Sequence, residues 1–471
     1  MENLSKKKGV QSSNSEPGSF IDTHCHLDMS QFDGDRDEVL RRATESGVKY
    51  IINVGSDIDG CRTSVGLSRI YEDIYATVGI HPHDADSYSA DIEEELKGWA
   101  DEDKVVAVGE IGLDYHYDNS PRDVQRRVFA RQLQLSLEIN LPVVIHSRDA
   151  GEDTLGILGE SGVARGVMHC FSGDREMAEQ AMAKGFFISV AGPVTFRNAG
   201  KLQEVVSLIP DEYLLIETDA PYLSPEPYRG KRNEPSFIIE TARKIAQLRG
   251  VSLDDIKRIT TLNAMRLFGI GEIPLRGEIA YRIRDSLYLN VTNRCTNACT
   301  FCVRFHSDYV KGYNLRLNHE PGLEEMKDAI GDPSQYKEVV FCGYGEPLIR
   351  LDLIKSLARW VKEHGGRVRI NTNGHGNLIH GRNILPELSG IVDSLSISLD
   401  AHDEDTYNRI CMPLVKNAYQ GMLDFIREAK EVIPDVTVTV VDVEGVDVER
   451  CRRIARELGV KFRLRRYNVV G

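Results

Sequence analysis

Short runs of apolar and β-branched residues, each followed by a segment of helical period, recur along the chain, and this alternation constrains the fold more than any other feature. A first series has strand-like runs at 21–26, 50–54, 74–80, 105–111, 142–146, 166–170, 186–190 and 214–219. Helix-period segments such as 37–46, 124–138 and 175–183 lie between them. Eight strand–helix units in about 250 residues is the pattern of a closed parallel barrel, and an open doubly wound sheet shares it. Helical segments 234–248 and 253–268 end the series, and 269–274 holds several breakers. A second series follows at 286–291, 338–342, 368–371, 395–399, 436–441 and 461–465, with helices such as 352–363 and 448–458. Six units are too few for an eight-stranded barrel. The chain is therefore read as a polar tail (1–19), a barrel domain (20–270), a junction (271–284) and a second α/β domain (285–471).

A chain of 471 residues exceeds one ordinary domain, and 41% hydrophobic with 28% charged residues is a globular composition. The net charge of −14 argues against a protein that coats duplex nucleic acid. That charge is uneven. Residues 84–103 hold nine acids against Lys97, and 449–467 hold eight Arg or Lys against Glu449 and Glu457. The basic end reads as a solvated helix face and strand, with an anionic partner as the other reading. Lys6, Lys7 and Lys8 are followed by polar residues with no apolar core, and nowhere do eighteen apolar residues run together. No signal peptide, membrane anchor or membrane partner is expected, and the expected location is cytoplasmic. Nine cysteines is an odd number, so a disulfide framework is not expected. Cys25, Cys61, Cys170, Cys342, Cys411 and Cys451 are scattered, in the manner of small core residues.

Six residues of metal-ligating type end the strands of the first series. His24 and His26 are two residues apart, so a strand puts both imidazoles on one side. Glu110, His146, His169 and Asp219 each follow an apolar run. The carboxyl ends of barrel strands are where such folds assemble their chemistry. Imidazole with carboxylate suits Zn²⁺, Mn²⁺, Fe²⁺ or Mg²⁺, and six ligands exceed one tetrahedral site. Two ions bridged by Glu110 is the economical arrangement, able to activate water and clamp a phosphate ester. His81 and His83 follow the third strand, either binding substrate phosphate or capping a loop.

Around these residues, Asp22-Thr-His24-Cys-His26-Leu-Asp28, Gly109-Glu110-Ile-Gly-Leu-Asp-Tyr115 and Ile145-His146-Ser-Arg148 resemble motifs of the TatD family. So do His169-Cys-Phe-Ser-Gly173 and Glu217-Thr-Asp219-Ala-Pro-Tyr-Leu223. The resemblance covers about residues 20 to 270 and implies a (β/α)8 TIM barrel of the amidohydrolase type. It also implies a metal-dependent, deoxyribonuclease-like hydrolase holding two divalent ions (Zn, Mg or Mn). His24, His26, Glu110, His146, His169 and Asp219 would be the ligands, with Asp219 also the general base.

In the second series, Cys295, Cys299 and Cys302 follow the first strand. Three thiolates at these spacings, with His306 as a fourth ligand, describe a zinc site. Three cysteines holding a [4Fe–4S] cluster with one open iron describe the spacing equally well. Cys-x3-Cys-x2-Cys with Phe301 before its last cysteine resembles the radical S-adenosylmethionine superfamily. Gly343-Tyr344-Gly345-Glu346-Pro347 resembles that superfamily's Gly-Gly-Glu-Pro turn, with tyrosine in place of one glycine. Asn373 and Ser398 end the third and fourth strands, where cofactor contacts would fall. The resemblance implies a partial (β/α)6 barrel, a [4Fe–4S] cluster, S-adenosylmethionine and an electron donor such as flavodoxin or ferredoxin. Gly343, Tyr344, Gly345, Glu346, Asn373 and Ser398 would bind the cofactor.

The expectation is thus a bifunctional enzyme, hydrolysing phosphoester bonds of DNA or a nucleotide and carrying out a separate radical reaction. Two other readings are that both halves act on one small nucleotide-like metabolite, or that one half is a binding module.

Overall fold

The computed structural model describes residues 18–466, so most of the expected tail and the last five residues lie outside the described residues. The chain divides into two compact units between Gly271 and Glu272.

In the first unit eight parallel strands pair in chain order: β1 (Phe20–Cys25), β2 (Val48–Val54), β3 (Ile74–Val78), β4 (Val105–Asp114), β5 (Val143–Arg148), β6 (Gly166–Met168), β7 (Phe186–Val190) and β8 (Leu214–Ile216). The ring closes where Asp219 N–H donates to the His24 carbonyl (2.9 Å) and His26 N–H to that of Ala220 (2.8 Å). Helices cover the strands, so the strands read as near-continuous apolar runs. β4, for example, is buried along all ten residues. The last helix, Leu253–Phe268, starts at a capping box of Ser252 and Asp255 and stops at Gly269, φ +69°. Its Ala264, Leu267 and Phe268 join Ile21, Ile52, Val144, Val167 and Leu215 of the strands in one apolar cluster.

Strand ends depart from the sequence reading in both directions. β4 runs on from 111 to Asp114 because Gly112, at φ +143°, keeps it paired with β5; a Cβ there would collide with the His146 carbonyl. β6 and β8 stop before His169 and Asp219. Cys170 (φ +41°) and Asp219 (φ +58°) take left-handed conformations that turn the chain out of the sheet.

The second unit has a seven-stranded sheet. Its elements are β9 (Ala280–Ile283), β10 (Ser286–Asn290), the separate hairpin β11 (Tyr309–Val310) and β12 (Tyr313–Asn314), β13 (Val339–Cys342), β14 (Val368–Thr372), β15 (Ser394–Ser398), β16 (Asp435–Asp442) and β17 (Lys461–Arg466). β10 and β13 to β17 are six parallel strands in chain order, and β9 adds antiparallel to β10. β9 occupies the stretch read from sequence as a plain junction; four residues flanked by Gly277 and Arg284 give too short a pattern to stand out. Leu287, Leu289, Phe341, Ile370, Leu395 and Ile397 share one core with Ile354 and Leu357 of helix Leu351–Glu363 and Met422 and Phe425 of helix Ala418–Val432. The alternate positions Tyr288, Cys342, Asn371, Ser396 and Ser398 are half-buried on the other face, as period two requires.

Candidate metal centre and cluster loop

All six ligand-type residues of the first unit converge at one end of the barrel. His24 lies in β1 and His26 just beyond it, Glu110 in β4 and His146 in β5. His169 follows β6 and Asp219 follows β8. Glu110 stands in the middle and divides its two oxygens. Oε2 is 3.4 Å from His24 Nε2 and 3.8 Å from His26 Nε2. Oε1 is 2.8 Å from His146 Nδ1 and 2.8 Å from His169 Nε2. Asp219 Oδ1 completes the first group, 3.8 Å from His24 Nε2 and 3.7 Å from His26 Nε2.

His81 joins the second group, with Nε2 3.4 Å from Glu110 Oε1. Its Nδ1 accepts the His83 N–H (3.1 Å), so the ring proton belongs on Nε2, facing Glu110. His81 therefore both caps the loop and reaches the centre. His83 stands further out, with Nε2 2.9 Å from Asp114 Oδ2.

Three groups around the centre were not singled out from sequence. Asp114 Oδ2 lies 3.2 Å from His146 Nε2, the Val54 carbonyl 2.9 Å from His26 Nδ1, and Glu217 Oε1 3.4 Å from His169 Nδ1. The first two are hydrogen bonds of the kind that fix the tautomer and aim of a metal-binding imidazole, while the Glu217 contact is electrostatic only. A signal for one of them was present: Asp114 lies an even number of strand positions from Glu110 within β4. Asp22, two residues before His24, accepts from Thr218 N–H (2.9 Å) and Thr218 Oγ1 (2.6 Å), and burial pushes its carboxyl up to about 7.

The electrostatics are those of a cation site. Burial alone would raise the Glu110 and Asp219 carboxyls, yet the surrounding histidines hold both below the ordinary range. Burial opposes a proton on His26 while Asp219 and Glu110 favour one, and the balance lies at about 9. Burial lowers His81 to about 4, so it is neutral at pH 7. His24 Nδ1 and His169 Nδ1 are buried without a hydrogen-bond partner among the described residues. Four imidazoles and two carboxylates packed this closely repel or over-share protons until a cation compensates them, so the donor set fits divalent metal.

In the second unit the cysteines lie on the loop after β10, and that loop is pinned from below. Ala298 N–H donates to the Cys411 carbonyl (3.1 Å), Thr300 N–H to that of Ile410 (2.9 Å) and Leu414 N–H to that of Thr296 (2.8 Å). Asn373 Nδ2 donates to Thr296 Oγ1 (2.8 Å), which also meets buried His375 Nδ1 (2.9 Å); His375 Nε2 reaches Tyr407 Oη (3.0 Å). His375 and Tyr407 carry no spacing signal in the sequence. Burial pushes the Cys295 thiol up to about 12 and raises that of Cys302. Such thiols become ligands by exchanging their protons for a metal centre's charge. His306 Nε2 lies 3.4 Å from the Thr300 carbonyl. Three thiols on one supported loop fit the larger iron–sulfur cluster.

The turn after β13 packs against this loop. A Cβ on Gly345 would collide with the Arg294 carbonyl, so only glycine lets the two backbones meet. Glu346 is buried and accepts from Leu348 N–H (3.0 Å), Thr372 Oγ1 (2.8 Å) and Asn373 N–H (2.8 Å). The geometry spends both the Glu346 carboxylate and the Asn373 amide on holding the loops together. Tyr344 turns away into a cluster with Tyr281 and Leu315, its hydroxyl 2.8 Å from the Ser307 carbonyl. Ser398 ends β15 on the half-buried face.

Comparison with known proteins covers both units. The family model described as TatD related DNase matches residues 21–269, and that of the radical SAM superfamily matches 289–458. The uncharacterized metal-dependent hydrolase YabD of Bacillus subtilis (strain 168) is 48% identical over 257 residues, 53% of this chain and 99% of that protein. The 3′-5′ ssDNA/RNA exonuclease TatD of Escherichia fergusonii is 38% identical over 258 residues, 53% of this chain and 99% of its own length. The crystal structure of YJJV, a TatD homolog from Escherichia coli k12, superposes with a TM-score of 0.53 at 33% identity, covering 54% of this chain and all of that one. A TatD family hydrolase from Entamoeba histolytica gives 0.50 at 27% identity, over 53% of this chain and 98% of its own. With eight strands, ring closure and family model all coinciding, the chain belongs to the TatD-related family of metal-dependent hydrolases, an enzyme family, and carries a radical SAM domain after its barrel.

Proposed function

We propose that the barrel, residues 20–270, is a two-metal phosphoesterase acting on DNA or nucleotides. The observation that carries this is Glu110, whose Oε2 faces His24 and His26 and whose Oε1 faces His146 and His169. His24, His26 and Asp219 with Glu110 Oε2 would hold one ion; His146 and His169 with Glu110 Oε1 would hold the other. Imidazole-rich ligation favours Zn²⁺ or Mn²⁺ over Mg²⁺. Bound there, such ions acidify water and stabilise charge on a phosphate. Asp219, ionised among histidines, would accept the proton of an attacking water. His81, neutral with its proton on Nε2, supplies a hydrogen-bond donor at the same mouth. Asp114 and the Val54 carbonyl keep His146 and His26 aimed. The 38% identity to an exonuclease named for ssDNA and RNA supports a nucleic-acid substrate. The net charge of −14 favours strand ends and nucleotides over long duplex.

The second domain, residues 285–471, carries out a radical reaction on a substrate of its own. Cys295, Cys299 and Cys302 would hold a [4Fe–4S] cluster, and the turn from Gly343 to Glu346, with Asn373 and Ser398, would flank S-adenosylmethionine. Together these groups supply one-electron chemistry that amino-acid side chains lack. A low-potential donor such as flavodoxin or ferredoxin would feed the cluster. Nine unpaired cysteines and an oxidation-sensitive cluster suit a cytoplasmic setting, and no helix among the described residues is long and apolar enough to cross a membrane.

His24→Ala, Glu110→Ala and Asp219→Asn are each expected to lower metal-dependent cleavage of single-stranded DNA at least about a hundred-fold. The assay adds Zn²⁺, Mn²⁺ or Mg²⁺ to metal-free protein. Wild-type rates in all three variants would place the chemistry elsewhere.

A further inference from the structure

Two exposed tyrosines stand three residues after two carboxylates of the centre: Tyr117 after Asp114, and Tyr222 after Asp219. Both are held there by backbone hydrogen bonds. The N–H groups of His116 and Tyr117 donate to Asp114 Oδ1 at 2.9 Å each, while Oδ2 of the same carboxylate faces His146 and His83. Tyr222 N–H donates to the Asp219 carbonyl (2.9 Å), and Asn233 Nδ2 donates to the Tyr222 carbonyl (2.6 Å). The backbones are fixed to the centre, yet the two residues are 56% and 48% exposed.

Single exposed aromatics need no explanation, but these two bracket the ligands. The Tyr222 ring meets that of His26 edge-on at 6.4 Å. The Tyr117 ring meets that of His83 edge-on at 5.4 Å, and His83 is 6.4 Å from His146. The tyrosines thus stand at the two ends of the row His26, Glu110, His146. Arg148, two residues after His146, lays its guanidinium 4.8 Å from the centroid of the Tyr117 ring. Arg148 is exposed, so its charge is open to an anionic group beside the Tyr117 ring.

We propose that Tyr117 and Tyr222 are stacking platforms for the two nucleobases on either side of the scissile phosphate, with Arg148 taking an adjacent phosphate. The inference rests on the phosphoesterase reading and narrows it to single-stranded nucleic acid. Every base has a π-face, so stacking is tolerant of sequence, and bases already stacked inside a duplex cannot reach the rings.

The test compares an ordinary single-stranded oligonucleotide with one carrying abasic sites on both sides of the scissile bond. The readout is the ratio of kcat/KM on the two strands. In Tyr117→Ala and in Tyr222→Ala that ratio is expected to fall at least about five-fold, the lower end of what one stacked base contributes. Tyr117→Phe and Tyr222→Phe are expected to keep the wild-type ratio. An unchanged ratio in the alanine variants overturns the inference, and a fall in one alone overturns the two-sided arrangement. Wild-type protein that cuts neither strand, with metal supplied, overturns the phosphoesterase reading and this inference with it.

Discussion

Glu346 shows how a single buried carboxyl can make a loop junction sensitive to pH. Burial pushes it up from its ordinary 4.5 to about 7, outweighing the hydrogen bonds from Asn373, Leu348 and Thr372 that favour its charged form. A folded-state value above the unfolded one means that the native state holds the proton more tightly. The contribution is therefore fully present below about pH 4.5 and is lost as pH rises through about 7. The difference amounts to about 3 kcal/mol. Trp99 and Trp360 are the two tryptophans of the sequence, so Trp99→Phe leaves Trp360 to report the second unit. Denaturant titrations at pH 5 and pH 7.5 are expected to show that fall in wild type and a flatter profile in Glu346→Gln. Equal slopes would show that Glu346 carries its charge throughout. At this scale the convergence of the barrel's six side chains was legible, because each ends or follows an apolar run. Asp114 was legible in principle from period two along β4. Tyr407 was not, since nothing local distinguishes a helix tyrosine that reaches a distant histidine.

Strands and helices were easier to find than their ends. Alternation of apolar runs gave both series of parallel strands, but β9 is too short to be seen and β4 outruns its apolar stretch through Gly112. His169 and Asp219 were read into strands that in fact stop earlier, because a left-handed residue cannot be inferred from hydrophobicity. The cluster loop is the element whose support was least visible. Thr296 Oγ1 joins Asn373 Nδ2 to His375 Nδ1, so Thr296→Val would strand two buried polar atoms at about 1–3 kcal/mol each. Anaerobically reconstituted wild-type protein is expected to hold about four irons per chain, with Cys295→Ala, Cys299→Ala or Cys302→Ala losing them. Thr296→Val is expected to assemble the cluster but release iron faster to a chelator. Stoichiometric zinc in wild type, lost in His306→Ala, would contradict the cluster assignment.

Over the whole molecule, two sets of ligand-type residues sit in two compact units, one of them in a barrel of the TatD-related family. Each chemistry is drawn from residues of a single unit, so damage to one centre is expected to leave the other's metal content intact. The divided carboxylate of Glu110 is the feature on which the hydrolase half stands or falls. The most direct measurement is a calorimetric Mn²⁺ titration of metal-free protein in the Cys295→Ala/Cys299→Ala/Cys302→Ala background, paired with cleavage of single-stranded DNA. The expected result is two ions bound per chain with cleavage rising as the second site fills, and Glu110→Ala reducing the number to one or none. Two ions bound and full cleavage in Glu110→Ala, or cleavage by wild type with no ion bound, would contradict it.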